Sequence, residues 1–216
     1  MTVVRAASLV LALLLIPPGL VHGHQEERPQ SLEMTLYSRV QAGGDRLELL
    51  VRTPLYLLTN VGLPLRGEHQ VDARALDRED PHAPGDATYA ERASAAILKA
   101  IGITSGREPV RFSRTDLILS ARGNAAFAEY ADAKQHVRRG LAGSDDGVEL
   151  HHGYLDLRAI ADLPESPGPL RFKARVGPAL AKTLTVRVRQ ISPTGRTTTK
   201  LLREDLNTPI ALDHLQ

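Results

Sequence analysis

Strict alternation of apolar and polar residues in the last third of the chain constrains the fold more than any other feature. In residues 170–176 four apolar side chains alternate with three basic ones, and residues 184–188 alternate in the same way. Because successive side chains of a strand point to opposite faces, each segment buries one face only. One-sided burial is typical of antiparallel sheets. We therefore predict a mainly β protein, an antiparallel sheet or a β-sandwich, with one or two helices packed on it.

Strand-forming segments separated by turn signals recur along most of the chain. Residues 32–40 and 46–52 predict an opening hairpin, because the turn sequence AGGD separates them. Residues 54–84 are rich in proline, glycine and charge, which predicts loop with short strand or helical pieces. The remaining strands are predicted at 110–121, 148–159, 170–176, 184–191 and 196–204, and we expect the last three to pair sequentially.

Two segments have helical spacing. Thr88 and Glu91 form a capping box, apolar residues repeat behind it at helical spacing, and Gly102 is expected to end that helix. A second helix is predicted from Asn124 to Gly140, with one side formed by Phe127, Ala131, Lys134 and Val137.

Residues 1–23 have the features of a secretory signal peptide. Arg5 supplies the positive charge, residues 6–16 are apolar apart from one serine, and two prolines follow. The apolar run is shorter than the roughly 20 residues of a membrane-spanning helix. We therefore expect cleavage before His24 and a single exported β-rich domain, residues 24–216, in the periplasm or another extracytoplasmic space. No later apolar run has membrane-spanning length, so we expect no membrane span in the mature chain.

Composition excludes several classes of function. The absence of cysteine excludes disulfides, thiolate metal sites and a cysteine nucleophile. The chain has 27 basic and 25 acidic side chains, their signs alternate along most of its length, and it has no tryptophan. Long basic runs are typical of nucleic-acid-binding chains. We therefore expect no nucleic-acid partner.

His24 is the candidate metal ligand. After cleavage it would carry a free amino group beside its imidazole, and this pair of nitrogen ligands suits copper. The alternative is a solvated first residue of an exported chain. His151 and His152 are neighbours in a predicted strand and should point to opposite faces, so they do not suit one ion. The acidic residues between 72 and 80 lack the order of a calcium loop, and we expect a charged surface loop there.

Motifs for catalysis are missing from the sequence. It contains no G-x-S-x-G, H-E-x-x-H, S-x-x-K or Walker loop. A triad assembled from distant serine, histidine and aspartate residues is defined by geometry, so the sequence leaves that alternative open. We expect no enzyme, and name no catalytic or cofactor-binding residue.

Several stretches resemble the extracytoplasmic N-terminal region of HupE/UreJ-like membrane proteins. They are TPLYLLTNVGLPLRG, FAEYADAKQHVRRGL leading into VELHHGYLDLRA, and LTVRVRQISPTGRTTTKLLREDLNTPIALD. The resemblance implies a link to metal permeases, nickel permeases above all, and to accessory proteins of hydrogenase and urease. The polytopic half of that family does not follow within these 216 residues, so transport is not implied for this chain itself. Asp213 and His214 are expected to be surface residues without a ligand role.

Two functional hypotheses follow. The first is a non-catalytic exported domain that acts as a partner or accessory region of a HupE/UreJ-type inner-membrane transporter, and is associated with the membrane through that partner. The alternative is a stand-alone periplasmic protein that binds copper or nickel through His24.

Overall fold

The computed structural model describes residues 31–41, 43–83 and 85–212. The chain is mainly β, with helices packed against its sheets, so the predicted fold class is confirmed. The strands are β1 (Leu32–Val40), β2 (Arg46–Pro54), β3 (Leu65–Arg66), β4 (Gln70–Val71), β5 (Ile101–Ser105), β6 (Glu108–Pro109), β7 (Ser113–Ser120), β8 (Val148–Glu149), β9 (Tyr154–Asp162), β10 (Leu170–Ala174), β11 (Leu184–Ile191), β12 (Thr197–Leu202) and β13 (Ile210–Ala211). The α-helices are α1 (Tyr89–Ala100), α2 (Tyr130–Val137) and α3 (Pro178–Ala181).

The main sheet has six strands in the order β12-β11-β1-β2-β9-β7. The predicted opening hairpin is confirmed, because β1 and β2 pair antiparallel. All neighbours in this sheet are antiparallel except β1 and β11, which run parallel with Leu32 opposite Leu184. The expected pairing of β10 with β11 is wrong, because β1 occupies that side of β11 and β10 pairs instead with β5 and β13. Pairing of β11 with β12 is confirmed.

The principal core lies on one face of the main sheet. Leu36, Leu49 and Leu157, on three adjacent strands, are fully buried there. Ile97 of α1 and Phe172 of β10 belong to the same cluster, so α1 and the second sheet, β13-β10-β5-β6, cover this face. Full burial of such side chains contributes about 1.5–3 kcal/mol each, which makes this layer the main source of stability.

Helix α1 begins where the capping box predicts. The Glu91 amide donates to the Thr88 hydroxyl at 3.1 Å, and the Thr88 amide donates to the Glu91 carboxylate at 2.8 Å. The helix ends at Ala100 with Ile101 as its C-cap, close to the predicted stop, but Gly102 is not a left-handed cap, because the chain continues directly into β5. Gly102 lies opposite Lys173, and a Cβ there would be only 3.1 Å from the Lys173 side chain. Close approach between strands therefore explains this glycine.

The second predicted helix is interrupted. A 3-10 turn, Ala125–Ala128, is followed by Glu129 in an extended conformation, and α2 begins at Tyr130. The break changes the helical phase, so Ala133, His136 and Val137 face the sheet. Ala131, predicted on the same side as Val137, is exposed.

The two less regular regions differ in how well they were predicted. Residues 54–84 contain 3-10 turns at Leu55–Val61 and Ala73–Ala75 beside the short strands β3 and β4, as expected. The predicted strand 148–159 is split by a turn at 150–153 into β8 and β9. β8 joins β4 and β3 in a separate three-stranded sheet.

Candidate functional site

The other face of the main sheet carries charged side chains and is partly covered by residues 125–137; we call it the polar face. A small apolar cluster, which includes Tyr37, Leu50 and Phe127, packs this covering segment onto the sheet. Alternation along β1, β2, β9 and β11 places the charged residues here because the leucines and valines between them face the principal core.

A serine, a histidine and an aspartate meet beneath α2. The Ser120 hydroxyl donates to Asp156 Oδ2 at 2.7 Å and lies 2.8 Å from His136 Nε2. Nε2 is also 3.2 Å from Asp156 Oδ2. Arg52 binds both oxygens of Asp156, at 2.9 and 2.7 Å, and all four side chains are buried.

The hydrogen-bond directions in this cluster differ from those of a catalytic triad. Arg139 Nη2 lies 2.7 Å from His136 Nδ1, and because arginine can only donate, Nδ1 must accept. The hydrogen of a neutral His136 is therefore on Nε2, which faces both Ser120 and Asp156. In a triad the histidine accepts the serine proton at one nitrogen, and the aspartate binds the other. Here the serine proton goes to the carboxylate, so the hydrogen bonds of this cluster attach α2 to the sheet and do not have the triad arrangement.

A second buried carboxylate, Glu48, lies near the other end of α2. It accepts hydrogen bonds from Lys134 Nζ at 2.8 Å, from Arg158 Nε at 2.6 Å and from the Tyr130 hydroxyl. Burial is the largest influence and raises the pKa of Glu48, but the hydrogen bonds from Lys134, Tyr130 and Arg158 together outweigh it and leave the pKa below its ordinary value. Glu48 therefore stays ionised, and burial together with this carboxylate raises the pKa of Tyr130 to about 12.

Glu48 forms the floor of a groove of about 410 Å³ between α2 and strands β1, β2 and β9. We call it the basic groove; its cationic side chains are Arg39, Arg46, Lys134, Arg138 and Arg158. Two of these cations form ion pairs with carboxylates that do not line the groove, Arg46 with Asp162 and Arg158 with Asp116. Arg39 and Arg138 form no ion pair with the described residues. The groove therefore has a net positive charge and favours an anionic ligand.

The residues singled out in the sequence lie elsewhere. His24, Asp213 and His214 are outside the described residues, so a role for His24 stays a prediction. His151 and His152 lie in the turn before β9 and not within a strand, so the expected placement on opposite strand faces is wrong. Among the residues that the structure describes, no three histidine or carboxylate side chains are placed to hold a metal ion.

The acidic residues between 72 and 80, predicted to form a charged surface loop, differ in burial. Asp72 accepts a hydrogen bond from the Arg74 amide in a surface turn, as expected for a charged loop. Asp80 differs, because it is buried, contacts Arg92 of α1 and accepts a hydrogen bond from the His82 amide at 2.9 Å. This carboxylate therefore anchors the loop to the helix.

Comparison with known proteins gives no family assignment: no model of a known protein family matches this chain, and no curated protein matches it. Within residues 31–212, leaving aside positions 42 and 84, no helix is long and apolar enough to cross a membrane.

Proposed function

We propose that this chain is an exported, non-catalytic docking domain whose basic groove binds an acidic segment of an inner-membrane transporter of the HupE/UreJ-like kind. The observation that carries the proposal is the basic groove itself, in which five cationic side chains surround one buried carboxylate.

The groove favours several carboxylates on one chain over a single small ion. Its lining comes from three strands and a helix, so the cationic groups are spread over an open surface. Arg39 and Arg138 have no carboxylate partner among the described residues, and arginine binds carboxylates through two parallel hydrogen bonds. Glu48 and its three donors form a fixed floor that holds Lys134 and Arg158 in place. Such a surface steers an acidic partner and depends strongly on salt.

Two features of the sequence support the location and the partner. Residues 1–23 have the features of a signal peptide, and the stretches quoted above resemble the extracytoplasmic region of HupE/UreJ-like proteins. The geometry of the Ser120, His136 and Asp156 cluster supports a non-catalytic role, because its serine proton is donated to the carboxylate.

Docking is tested with a fluorescein-labelled peptide of alternating glutamate and glycine, titrated with the secreted chain and followed by fluorescence anisotropy. We expect saturable binding that weakens as salt rises, and a loss of about tenfold or more in affinity for the double variant Arg39→Glu, Arg138→Glu. The control is Lys182→Glu, Arg196→Glu, which changes net charge equally at exposed positions outside the groove. Equal loss in both variants, or no saturable binding, would overturn the proposal.

Export is tested separately by N-terminal sequencing of the protein from the periplasmic fraction. We expect the first residue to be His24, whereas an intact N-terminus in the cytosol would contradict export.

A further inference from the structure

The polar face has a second groove at the opposite ends of the strands, with a volume of about 550 Å³. We call it the arginine groove because Arg52, Arg187 and Arg189 line it together with Glu33. The strand register explains the grouping: Thr35 of β1 lies between Arg52 on β2 and Arg187 on β11, and Arg189 lies two residues further along β11. None of these residues lines the basic groove.

Two of the three arginines are neutralised. Arg52 binds Asp156 through two hydrogen bonds, and its Nη1 also donates to the Asn124 carbonyl. Arg187 binds both oxygens of Glu33, at 2.7 and 3.0 Å, and this arrangement lowers the pKa of Glu33, so that the carboxylate stays charged. These pairs hold the two guanidinium groups in place without adding net charge.

Arg189 differs from the other two arginines. It forms no ion pair with the described residues, and its Nη1 donates to the Tyr37 hydroxyl and the Ala128 carbonyl. Its Nε is buried and has no hydrogen-bond acceptor among the described residues. Arg52 and Arg187 each have a carboxylate partner, so the groove has one positive charge, that of Arg189, without a counter-charge among the described residues.

The walls of the groove also supply apolar surface. Tyr154 and Phe127 line it, and the Arg52 guanidinium lies over both rings, 5.0 and 4.4 Å from their centroids. The volume is larger than a small inorganic ion needs, and the aromatic and alanine side chains provide contacts for an organic group.

We propose that the arginine groove binds a small organic monocarboxylate, with its carboxylate at Arg189 and its apolar part against Tyr154 and Phe127. The single uncompensated charge matches a monoanion better than phosphate, and the apolar wall distinguishes an organic acid from an inorganic anion. This site is independent of docking in the basic groove, so either proposal can fail while the other stands.

The test is a titration of the ¹⁵N-labelled secreted chain with benzoate, in which binding is measured from changes in the amide chemical shifts. Benzyl alcohol serves as the neutral ligand of similar shape, and inorganic phosphate as the alternative anion. We expect saturable shifts with benzoate alone. Absence of saturation with benzoate, or equal binding of benzyl alcohol, would overturn the proposal. Stronger binding of phosphate than of benzoate would show that the monocarboxylate is the wrong class of ligand.

Two variants locate the site. Arg189→Met should weaken benzoate binding about tenfold or more. Thr35→Glu places a carboxylate of the chain itself between Arg52 and Arg187, and should abolish binding while the thermal unfolding curve shows a folded protein. Thr198→Glu, at an exposed position on β12, is the matched control and should bind benzoate as the original chain does. Unchanged binding by folded Thr35→Glu would contradict the assignment to this groove.

Discussion

Two arginine–aspartate pairs join β2 to β9, and they differ mainly in burial. Arg52 and Asp156 lie opposite each other with side chains 9% and 0% exposed. Arg46 and Asp162 lie opposite each other near the other ends of the same strands, with side chains 54% and 84% exposed. Changing each aspartate to asparagine keeps side-chain volume and removes one charge, so Asp156→Asn and Asp162→Asn form a matched comparison.

The buried change should be far more destabilising. Asp156→Asn leaves the Arg52 guanidinium without its counter-charge beneath α2, and breaking a buried pair from one side costs about 3–5 kcal/mol. It also weakens the acceptor that Ser120 and His136 share. Asp162→Asn removes an exposed pair whose contribution is about 0–1 kcal/mol.

The assay is urea unfolding of the three proteins, followed by circular dichroism and analysed for the free energy of unfolding. The double variant Arg52→Met, Asp156→Asn removes both charges and should recover at least half of the loss, because a buried pair replaced by uncharged groups is often neutral. A loss below about 1 kcal/mol for Asp156→Asn, or equal losses for the two single variants, would refute the reasoning.

Three further predictions concern packing and ionisation. A Cβ on Gly153 would lie 2.0 Å from Val148 Cγ1, so Gly153→Ala should lower the free energy of urea unfolding by about 1–3 kcal/mol. The control is Gly177→Ala: a Cβ there meets open space, so the free energy should change by less than about 0.5 kcal/mol. The folded pKa of Glu48 is below its ordinary value of 4.5, so its contribution to stability is present above pH 4.5 and is lost as pH falls through the folded pKa. The stability of Glu48→Gln should therefore depend less on pH below pH 4.5, as measured by acid unfolding. The pKa of Tyr130 is about 12, so its contribution to stability is complete below the ordinary value of 10.0 and is lost as pH rises through 12. In an alkaline absorbance titration, Tyr130→Phe should lack the last phenolate step.

Local signals predicted the parts of the fold that depend on neighbouring residues. The capping box at Thr88 and the hairpin around AGGD were placed correctly, because each is stabilised by contacts within a few residues. The role of Gly102 was wrong, since glycine can serve either as a left-handed helix stop or at a close contact between strands, and only the positions of Lys173 and Arg175 distinguish the two. The break at Glu129 likewise depends on how Phe127 packs against the sheet.

The two grooves could not be predicted from the sequence, because their residues are brought together by strand register. Alternation alone predicts that Arg187 faces away from the core, and the same argument applies to Glu48 and Arg158. It does not say which strands are neighbours, and a shift of one residue would move every one of these side chains to the other face. The parallel pairing of β1 with β11 was also missed, since no local pattern connects segments so distant in the chain.

The parallel pairing of β1 with β11 affects folding during synthesis, because β11 follows β1 by more than 140 residues. β1 lies between β2, which follows it directly, and β11, whose Leu184 pairs with Leu32. A chain that emerges N-terminus first forms the hairpin early, and one side of β1 then presents unpaired backbone groups until β11 arrives. Exposed strand edges of this kind promote association between molecules. A premature stop before β11 therefore yields an aggregating fragment, not a smaller version of the fold.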